Sequence, residues 1–376
     1  MRDIHPNSGY SFHFFCTFTH CNDILLVRIL PISRVNTLAM DSCITIREQT
    51  RLYIGRVGDI IEQVLPKCRV VVITDANIDR LYPDLVRRYE HIIIGGGEAN
   101  KSLATVATIY DRLMAMGVDR ATFILGIGGG IVTDVAGFVA ATYMRGLDFG
   151  FISTTLLGQV DASIGGKNGV NVADYKNMVG TIVHPRFVIS DVEMLRTLPM
   201  RELRAGMAEV VKSAIIGDAE LFDYIDSCAT DELYHSTEQM QSIVLRAVRV
   251  KASIVEADER EAGLRRLLNL GHTIGHAVEK STREVNHGEA VAMGLAMVAK
   301  AAAKGGMLSS YEAQRIESLL CRLGFATEPS VPLSAIMRAV RHDKKREDNL
   351  LRVVIPEAIG RCVVRKMPIE EFERLF

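Results

Sequence analysis

Between residues 40 and 192 the chain alternates between two periods, and this alternation constrains its fold more than any other feature. Short β-branched runs, Val70–Thr74, Ile92–Ile94, Thr122–Leu125, Phe149–Ile152 and Phe187–Ile189, punctuate helical stretches such as Ser102–Met116. Strands separated by helices read as βαβ units of an α/β domain with a Rossmann-like, open and mainly parallel sheet. Several runs end in Gly, Asp or Thr, at the strand ends where such sheets bind ligands. From about 193 onward the pattern is helical, over 201–216, 238–257, 263–281, 288–305, 310–323 and 333–342. A strand pair, Leu351–Ile355 and Arg361–Val364, precedes a last helix near 368–375. The expected division is an irregular extension (1–39), an α/β domain (40–193) and a mainly α-helical domain (194–376), meeting near Leu195-Arg196-Thr197-Leu198-Pro199. A length of 376 residues exceeds one ordinary core, in keeping with two domains.

Residues 1–39 show neither clear periodicity nor the layout of a secretory signal. They are expected to be a non-native extension with Met40 as the true start, which N-terminal sequencing of the natural protein tests. Lys plus Arg (44) nearly equals Asp plus Glu (45), so no global field draws nucleic acid or an anionic membrane. No apolar run approaches the roughly 20 residues that cross a bilayer. Seven cysteines (16, 21, 43, 68, 228, 321, 362) include no C-x-x-C, a pattern of reduced thiols in a cytoplasmic protein.

Three of the ten histidines fall within sixteen residues: His272, His276 and His287. His272 and His276 are four apart and share a helix face, and His287 opens the next apolar helix. Three imidazoles can meet at one metal ion, typically zinc. The plain alternative is half-buried histidines bonded to carbonyls. Gly271 and Gly275 point away from it, because they leave the helix surface thin enough for a ligand to approach. Glu209, in the apolar stretch Ala205–Ile216, can complete a Glu/His/His set with open positions. Lys212, three residues on, equally suits a salt bridge.

Three strand ends carry nucleotide-binding groups. Asp75 and Asn77 follow the first run, Gly95-Gly96-Gly97-Glu98 with Lys101 the second, and Gly126-Ile127-Gly128-Gly129-Gly130 with Asp134 the third. Glycines there let N–H groups close on a phosphate, although the spacing is not G-x-G-x-x-G. A dense polar series follows: Arg145, Asp161, Gly165-Gly166-Lys167, Asn171 and Lys176-Asn177, around Thr154-Thr155. Basic groups among glycines suit a phosphorylated, polyhydroxylated substrate, or else form a solvated loop. Lys251, Glu261, Arg265 and Asn269 lead into the histidine helix, and Asp343-Lys344-Lys345 forms a late charged cluster.

With these residues collected, the chain resembles the 3-dehydroquinate synthase family from about Asp75 to Lys345. The resemblance rests on Gly97-Glu98-x-x-Lys101, Gly128-Gly129-Gly130-x-x-x-Asp134-x-x-Gly137-Phe138, Tyr143-Met144-Arg145-Gly146 and Thr154-Thr155-Leu156-Leu157-x-Gln159-Val160-Asp161-Ala162-Ser163-x-Gly165-Gly166-Lys167. It rests further on Lys176-Asn177, Thr197-Leu198-Pro199, Ala208-Glu209-Val210-Val211-Lys212, Asn269-x-Gly271-His272-Thr273-x-Gly275-His276 and His287-Gly288-Glu289-Ala290-Val291. It implies zinc (or cobalt) on Glu209, His272 and His287. It implies NAD on Asp75, Asn77, Glu98, Lys101, Gly129, Gly130, Asp134, Thr154, Thr155, Lys176 and Thr197. The substrate, 3-deoxy-D-arabino-heptulosonate 7-phosphate, would meet Arg145, Asp161, Lys167, Asn177, Lys212, Lys251, Arg265, Asn269 and Lys345, with Lys344 the other candidate there. His276 and Glu261 take the positions of proton transfer, so His276 is not expected as a ligand, contrary to the bare spacing. Two departures, Ser153 for proline and Asn168 for threonine, touch no catalytic position.

The family's reaction is the second step of the shikimate pathway: transient oxidation by NAD, phosphate elimination, re-reduction and aldol closure. The resemblance also implies a homodimer. Metal-dependent polyol dehydrogenases share the fold and the glycine runs, but a neutral polyol does not need the basic series. Cyclases making inosose- or valiolone-type rings are nearer rivals. A silent scaffold would not need the proton-transfer set.

Overall fold

Alternate residues of the central strands face opposite sides, and both sides are buried: Val71 and Ile73 pack on one face, Val70 and Val72 on the other. The computed structural model describes residues 20–21, 24–25, 43–173, 175–282, 284–344 and 350–376. Its strands are β1 (His20–Cys21), β2 (Ile24–Leu25), β3 (Cys43–Ile46), β4 (Thr50–Ile54), β5 (Val70–Asp75), β6 (Glu90–Ile94), β7 (Phe123–Gly128), β8 (Phe149–Ser153), β9 (Lys167–Val172), β10 (Tyr175–Ile182), β11 (Phe187–Ser190), β12 (Leu350–Ala358) and β13 (Arg361–Pro368). The helices of the first half are α1 (Val57–Val64), α2 (Ala76–Leu81), α3 (Pro83–Val86), α4 (Leu103–Ala115) and α5 (Gly130–Thr142). The second half carries α6 (Met200–Gly217), α7 (Ala219–Ser227), α8 (Thr230–His235), α9 (Thr237–Ala257), α10 (His272–Ser281), α11 (His287–Lys304), α12 (Ser310–Arg322), α13 (Leu333–Lys344) and α14 (Ile369–Arg374).

The seven-stranded sheet has the order β3-β4-β11-β8-β7-β5-β6. All its pairings are parallel except β3 with β4. From β5 the chain steps outward to β6, recrosses to β7 on the other side, and continues through β8 to β11. The order reverses between β5 and β7, and the crevice beyond such a reversal is where these sheets bind ligands. Asp75, at the end of β5, and Gly128–Gly130, at the end of β7, both border it.

One core cluster lies between the sheet and α1–α3. The other fills the opposite face and runs without a break into the helices of the second half, joining Val71 and Ile73 to Met207, Ile243 and Val291. The fold is the expected α/β half followed by a mainly helical half. β12 and β13 pair antiparallel, and Ile24–Leu25 of the expected extension adds to β13.

The expected strands and most helices stand within a few residues of their sequence positions. The stretch 263–281 does not form one helix. A 3₁₀ segment, Leu264–Asn269, ends before Gly271, whose φ of +76° breaks the axis, and α10 begins at His272. β3, β4, α3, α8 and the β9–β10 hairpin carry no clear periodic signal, whereas α1, with Val57, Ile60, Ile61 and Val64 on one face, and α7 do but span only eight and nine residues. They are short, and the hairpin is rich in glycine and polar residues. No helix among the described residues is long and apolar enough to cross a membrane. Cys43, Cys68, Cys228, Cys321 and Cys362 are free thiols.

Candidate active site

Glu209 projects from the middle of α6, where every residue from Ala205 to Ile216 is buried. Its side chain is 1% exposed and that of Lys212 2%. Burying an ion costs several kcal/mol unless charges and hydrogen bonds compensate it. Lys212 Nζ lies against Glu209 Oε2, so the expected salt bridge is present. Neither carboxylate oxygen accepts a well-formed hydrogen bond. Instead, His272 Nε2 stands 3.6 Å and His287 Nε2 3.4 Å from Glu209 Oε1. The donor atoms of Glu209, His272 and His287 all lie within 4.8 Å of one another.

The remaining nitrogen of each imidazole is also engaged. His272 Nδ1 faces the Leu270 carbonyl at 3.1 Å, and His287 Nδ1 faces Glu279 Oε2 at 3.5 Å. Both rings therefore turn Nε2 toward one point, as metal-bound histidines do. A carboxylate lacking hydrogen bonds and two oriented imidazoles fit a divalent cation of the zinc type. Burial, aided by the Lys212 charge, holds the His272 imidazole down at about 3. Burial also opposes a charge on His287, but Glu209 and Glu279 outweigh it and hold that imidazole up at about 10. Glu209 lies well below the usual carboxylate range: burial opposes this, and Lys212 and the two histidines overcome it.

His276 shares the helix face of His272, with ring centroids 5.2 Å apart. It does not belong to the set that converges on Glu209; its neighbours are Glu279 and His287. The expectation that Gly271 and Gly275 clear space for a ligand is corrected here. A β-carbon on Gly275 would lie 3.0 Å from the Ala290 carbonyl oxygen, so what approaches is α11. α11 starts where its sequence predicts, at His287, because Asn286 and Glu289 form a capping box. Glu289 also pairs with Arg201.

A chain of alternating charges leads away from Glu209. Lys212 Nζ is 3.8 Å from Asp161 Oδ1, and Lys251 Nζ donates to both the side chain and the carbonyl of Asp161 at 2.6 Å. Asp161 sits in a π-helical turn, Gly158–Ala162, a local irregularity frequent at functional sites. Burial lowers the Lys251 ammonium against the pull of Asp161, and the Lys212 charge adds to the lowering. Lys167 pairs with Glu261, which also accepts from Asn269 Nδ2 at 2.6 Å. Arg265 is 3% exposed and donates to the Gly165 and Glu259 carbonyls. Gly165 has φ +99°, and a β-carbon there would meet Arg265 Nη2 at 2.4 Å, so glycine is required. The basic series is thus largely compensated by Asp161, Glu261 and Glu209 and is not a bare cationic nest.

At the strand ends, Asp75 Oδ1 caps α2 by accepting from the Asn77 and Ile78 amides, and Asn77 lies beside Gly96. Gly129 precedes α5 and no side chain caps that helix, so the first N–H groups, from Gly130 on, face the crevice between β5 and β7. Lys101 Nζ pairs with Asp134 Oδ2 at 2.5 Å, and burial pushes the Asp134 carboxyl up to about 6 despite that partner. Glu98 accepts from Asn171, whose own oxygen accepts from the Asn177 amide. The Thr154 amide bonds the Gly128 carbonyl, and Thr155 Oγ1 accepts from Gly158. These groups fit the anionic bridge and hydroxyls of a dinucleotide.

Three expected residues stand apart. Thr197 bonds Tyr82 OH at 2.7 Å. Arg145 is exposed, with φ +69°, and makes no hydrogen bond or ion pair among the described residues. Lys345 lies outside the described residues, as does the side chain of Lys344. Both departures from the family pattern are used in packing. Asn168 donates to the Gly166 and Val183 carbonyls, and Ser153 Oγ is buried beside Gly158.

Residues 91–205 match the family description "3-dehydroquinate synthase N-terminal", and residues 206–346 match "3-dehydroquinate synthase C-terminal". The chain belongs to the 3-dehydroquinate synthase family. A 3-dehydroquinate synthase of Pelotomaculum thermopropionicum is 45% identical over 276 residues, covering 72% of this chain and 74% of the relative. Among solved structures, 2-epi-5-epi-valiolone synthase from Streptomyces hygroscopicus subsp. jinggangensis, with NAD+ and Zn2+ bound, superposes with a TM-score of 0.79. It is 27% identical, covering 92% of this chain and 98% of that one. A 2-deoxy-scyllo-inosose synthase complexed with carbaglucose-6-phosphate, NAD+ and Co2+ gives 0.76 at 26% identity, covering 87% and 96%.

In this member of the 3-dehydroquinate synthase family, two further carboxylates organise the site and escape the sequence reading. Asp258 accepts from the amides of Ala262, Gly263 and Arg265, which fixes the loop carrying Glu261 at φ +60°. Its position in a run of four charged residues disguised that role. Glu279 pairs with Lys176 Nζ at 2.7 Å as well as facing His287. It follows His276 by three residues, a helical spacing that could have found it.

Proposed function

We propose that the chain converts 3-deoxy-D-arabino-heptulosonate 7-phosphate into 3-dehydroquinate and phosphate. The observation that carries this reading is the convergence of Glu209, His272 and His287 beside the buried Lys212–Asp161–Lys251 chain, in a member of this family. Residues 40–193 are taken as the nucleotide half and 194–376 as the metal half. NAD is assigned to the strand-end groups from Asp75 to Asp134, with Thr154, Thr155, Lys176 and Thr197. Glu209, His272 and His287 are assigned to Zn2+ or Co2+. When bound, the nicotinamide supplies a reversible hydride acceptor and the cation polarises a substrate hydroxyl.

The chain's own groups do the rest. Lys167, Lys251 and Arg265 bind the substrate's anionic groups, with Arg145 and Lys345 assigned to the same task. Lys212 holds Asp161 and Glu209 in place, and Asn177 and Asn269 orient hydroxyls. Glu261 and His276 hold and move protons at the cleft. Because Lys212, Lys251 and Arg265 are prearranged and buried, they stabilise developing charge without reorganising.

A homodimer is part of the proposal. Tyr175, Met178, Ile182 and Val183 lie exposed on and just after β10, the outer strand of its hairpin, and support pairing with a second copy. A cytoplasmic location accords with the free thiols.

The test is incubation with the heptulosonate phosphate, NAD and zinc. Phosphate release without lasting NADH is the expected outcome. No release from this substrate, or NADH accumulating with glycerol, overturns the reading.

A further inference from the structure

Among the described residues, Glu279 is the one carboxylate that touches both the hairpin and the proposed metal set. Its side chain is 11% exposed, on the same face of α10 as His272 and His276. One oxygen meets Lys176 Nζ, from β10, at 2.7 Å, and the other meets His287 Nδ1, from α11, at 3.5 Å. Three separate elements thus join at one side chain, and the site assignments above leave it without a role. We infer that Glu279 is a positioning residue: it accepts from His287 Nδ1–H, turns Nε2 toward Glu209, and ties the β9–β10 hairpin to α10 through Lys176.

The physical argument concerns the imidazole. A neutral histidine carries its proton on one nitrogen, and the partner of that nitrogen selects the tautomer and the ring angle. Leu270 does this for His272 through a backbone carbonyl, which no substitution removes. His287 relies on a side chain, so its orientation is open to mutation. Outer partners of this kind are worth about 10- to 100-fold in metal affinity.

The inference rests on the metal assignment above and is tested by Zn2+ affinity, measured by chelator competition, with the visible spectrum of the Co2+ protein as a second readout. Glu279→Ala is expected to bind Zn2+ about 10- to 100-fold more weakly and to change the Co2+ spectrum. Glu279→Gln, whose amide oxygen still accepts from Nδ1–H, should stay within a few-fold of wild type. Lys176→Met should leave Zn2+ affinity undiminished. Equal losses in the Ala and Gln variants would show that only the charge matters and would overturn the inference. Wild-type affinity in Glu279→Ala would overturn it too, with the metal assignment intact. A wild-type protein that binds no cation would overturn the metal assignment and this inference together.

Discussion

Glu209 defines the site at the scale of single residues. Buried, facing two imidazoles and bonded well by neither, it is stable in the fold only because Lys212 and the histidines surround it. His272→Ala is expected to lose zinc and activity together, weakening metal binding by more than about 100-fold, above what outer partners contribute. Lys167→Ala should weaken binding of the phosphorylated substrate and leave zinc in place; metal analysis beside steady-state kinetics separates the two. A proton competes for the same place. His287 is held at about 10 and His272 at about 3, so at neutral pH a cation displaces one proton, from His287. The raised group keeps that proton below its pKa, so zinc affinity falls as pH falls, about tenfold per unit from pH 8 to 6. Calorimetry in two buffers of different ionisation enthalpy should report about one proton released per zinc, and a pH-independent affinity would refute the assignment.

Between α10 and α11 the packing is close because glycines face backbone. A β-carbon on Gly294 would lie 2.0 Å from the Gly271 carbonyl oxygen, immediately before His272. Gly294→Ala should therefore force the helices apart, costing about 3 kcal/mol in urea unfolding, and weaken zinc binding by displacing His272. Glu289→Ala, losing half a capping box and the Arg201 pair, should cost about 1 kcal/mol and spare the metal. At this scale the sequence was legible where periodicity was long. Strands β5, β6, β7, β8 and β11 and helices α6, α9 and α11–α13 follow from apolar spacing, and the start of α11 from its cap. The break at Gly271 was not legible, because Leu264–Asn269 continues the helical period and only tertiary contact with Leu295 makes the turn necessary. The β9–β10 hairpin was hidden because its residues carry site groups in place of an alternating apolar face. The convergence of Glu209, His272 and His287 was legible from spacing together with family resemblance. The charge compensation around Lys167, Lys212 and Lys251 was not, since their partners lie far along the chain.

For the whole molecule, the reversal of strand order between β5 and β7 sets the groups proposed for the nucleotide at one rim, and the unbroken core beneath ties that rim to the helices holding Glu209, His272 and His287. The exposed apolar side chains of β10 predict self-association: sedimentation should find a dimer, and Met178→Glu with Ile182→Lys should shift it toward monomer. A wild-type monomer at micromolar concentration would remove the dimer from the account. Anomalous diffraction from crystals grown with Zn2+ tests the central claim most directly. One peak within about 2.0–2.2 Å of a Glu209 oxygen and of Nε2 of both His272 and His287 is the result expected. A catalytically active crystal form with its zinc elsewhere, or those three side chains turned apart, would contradict it.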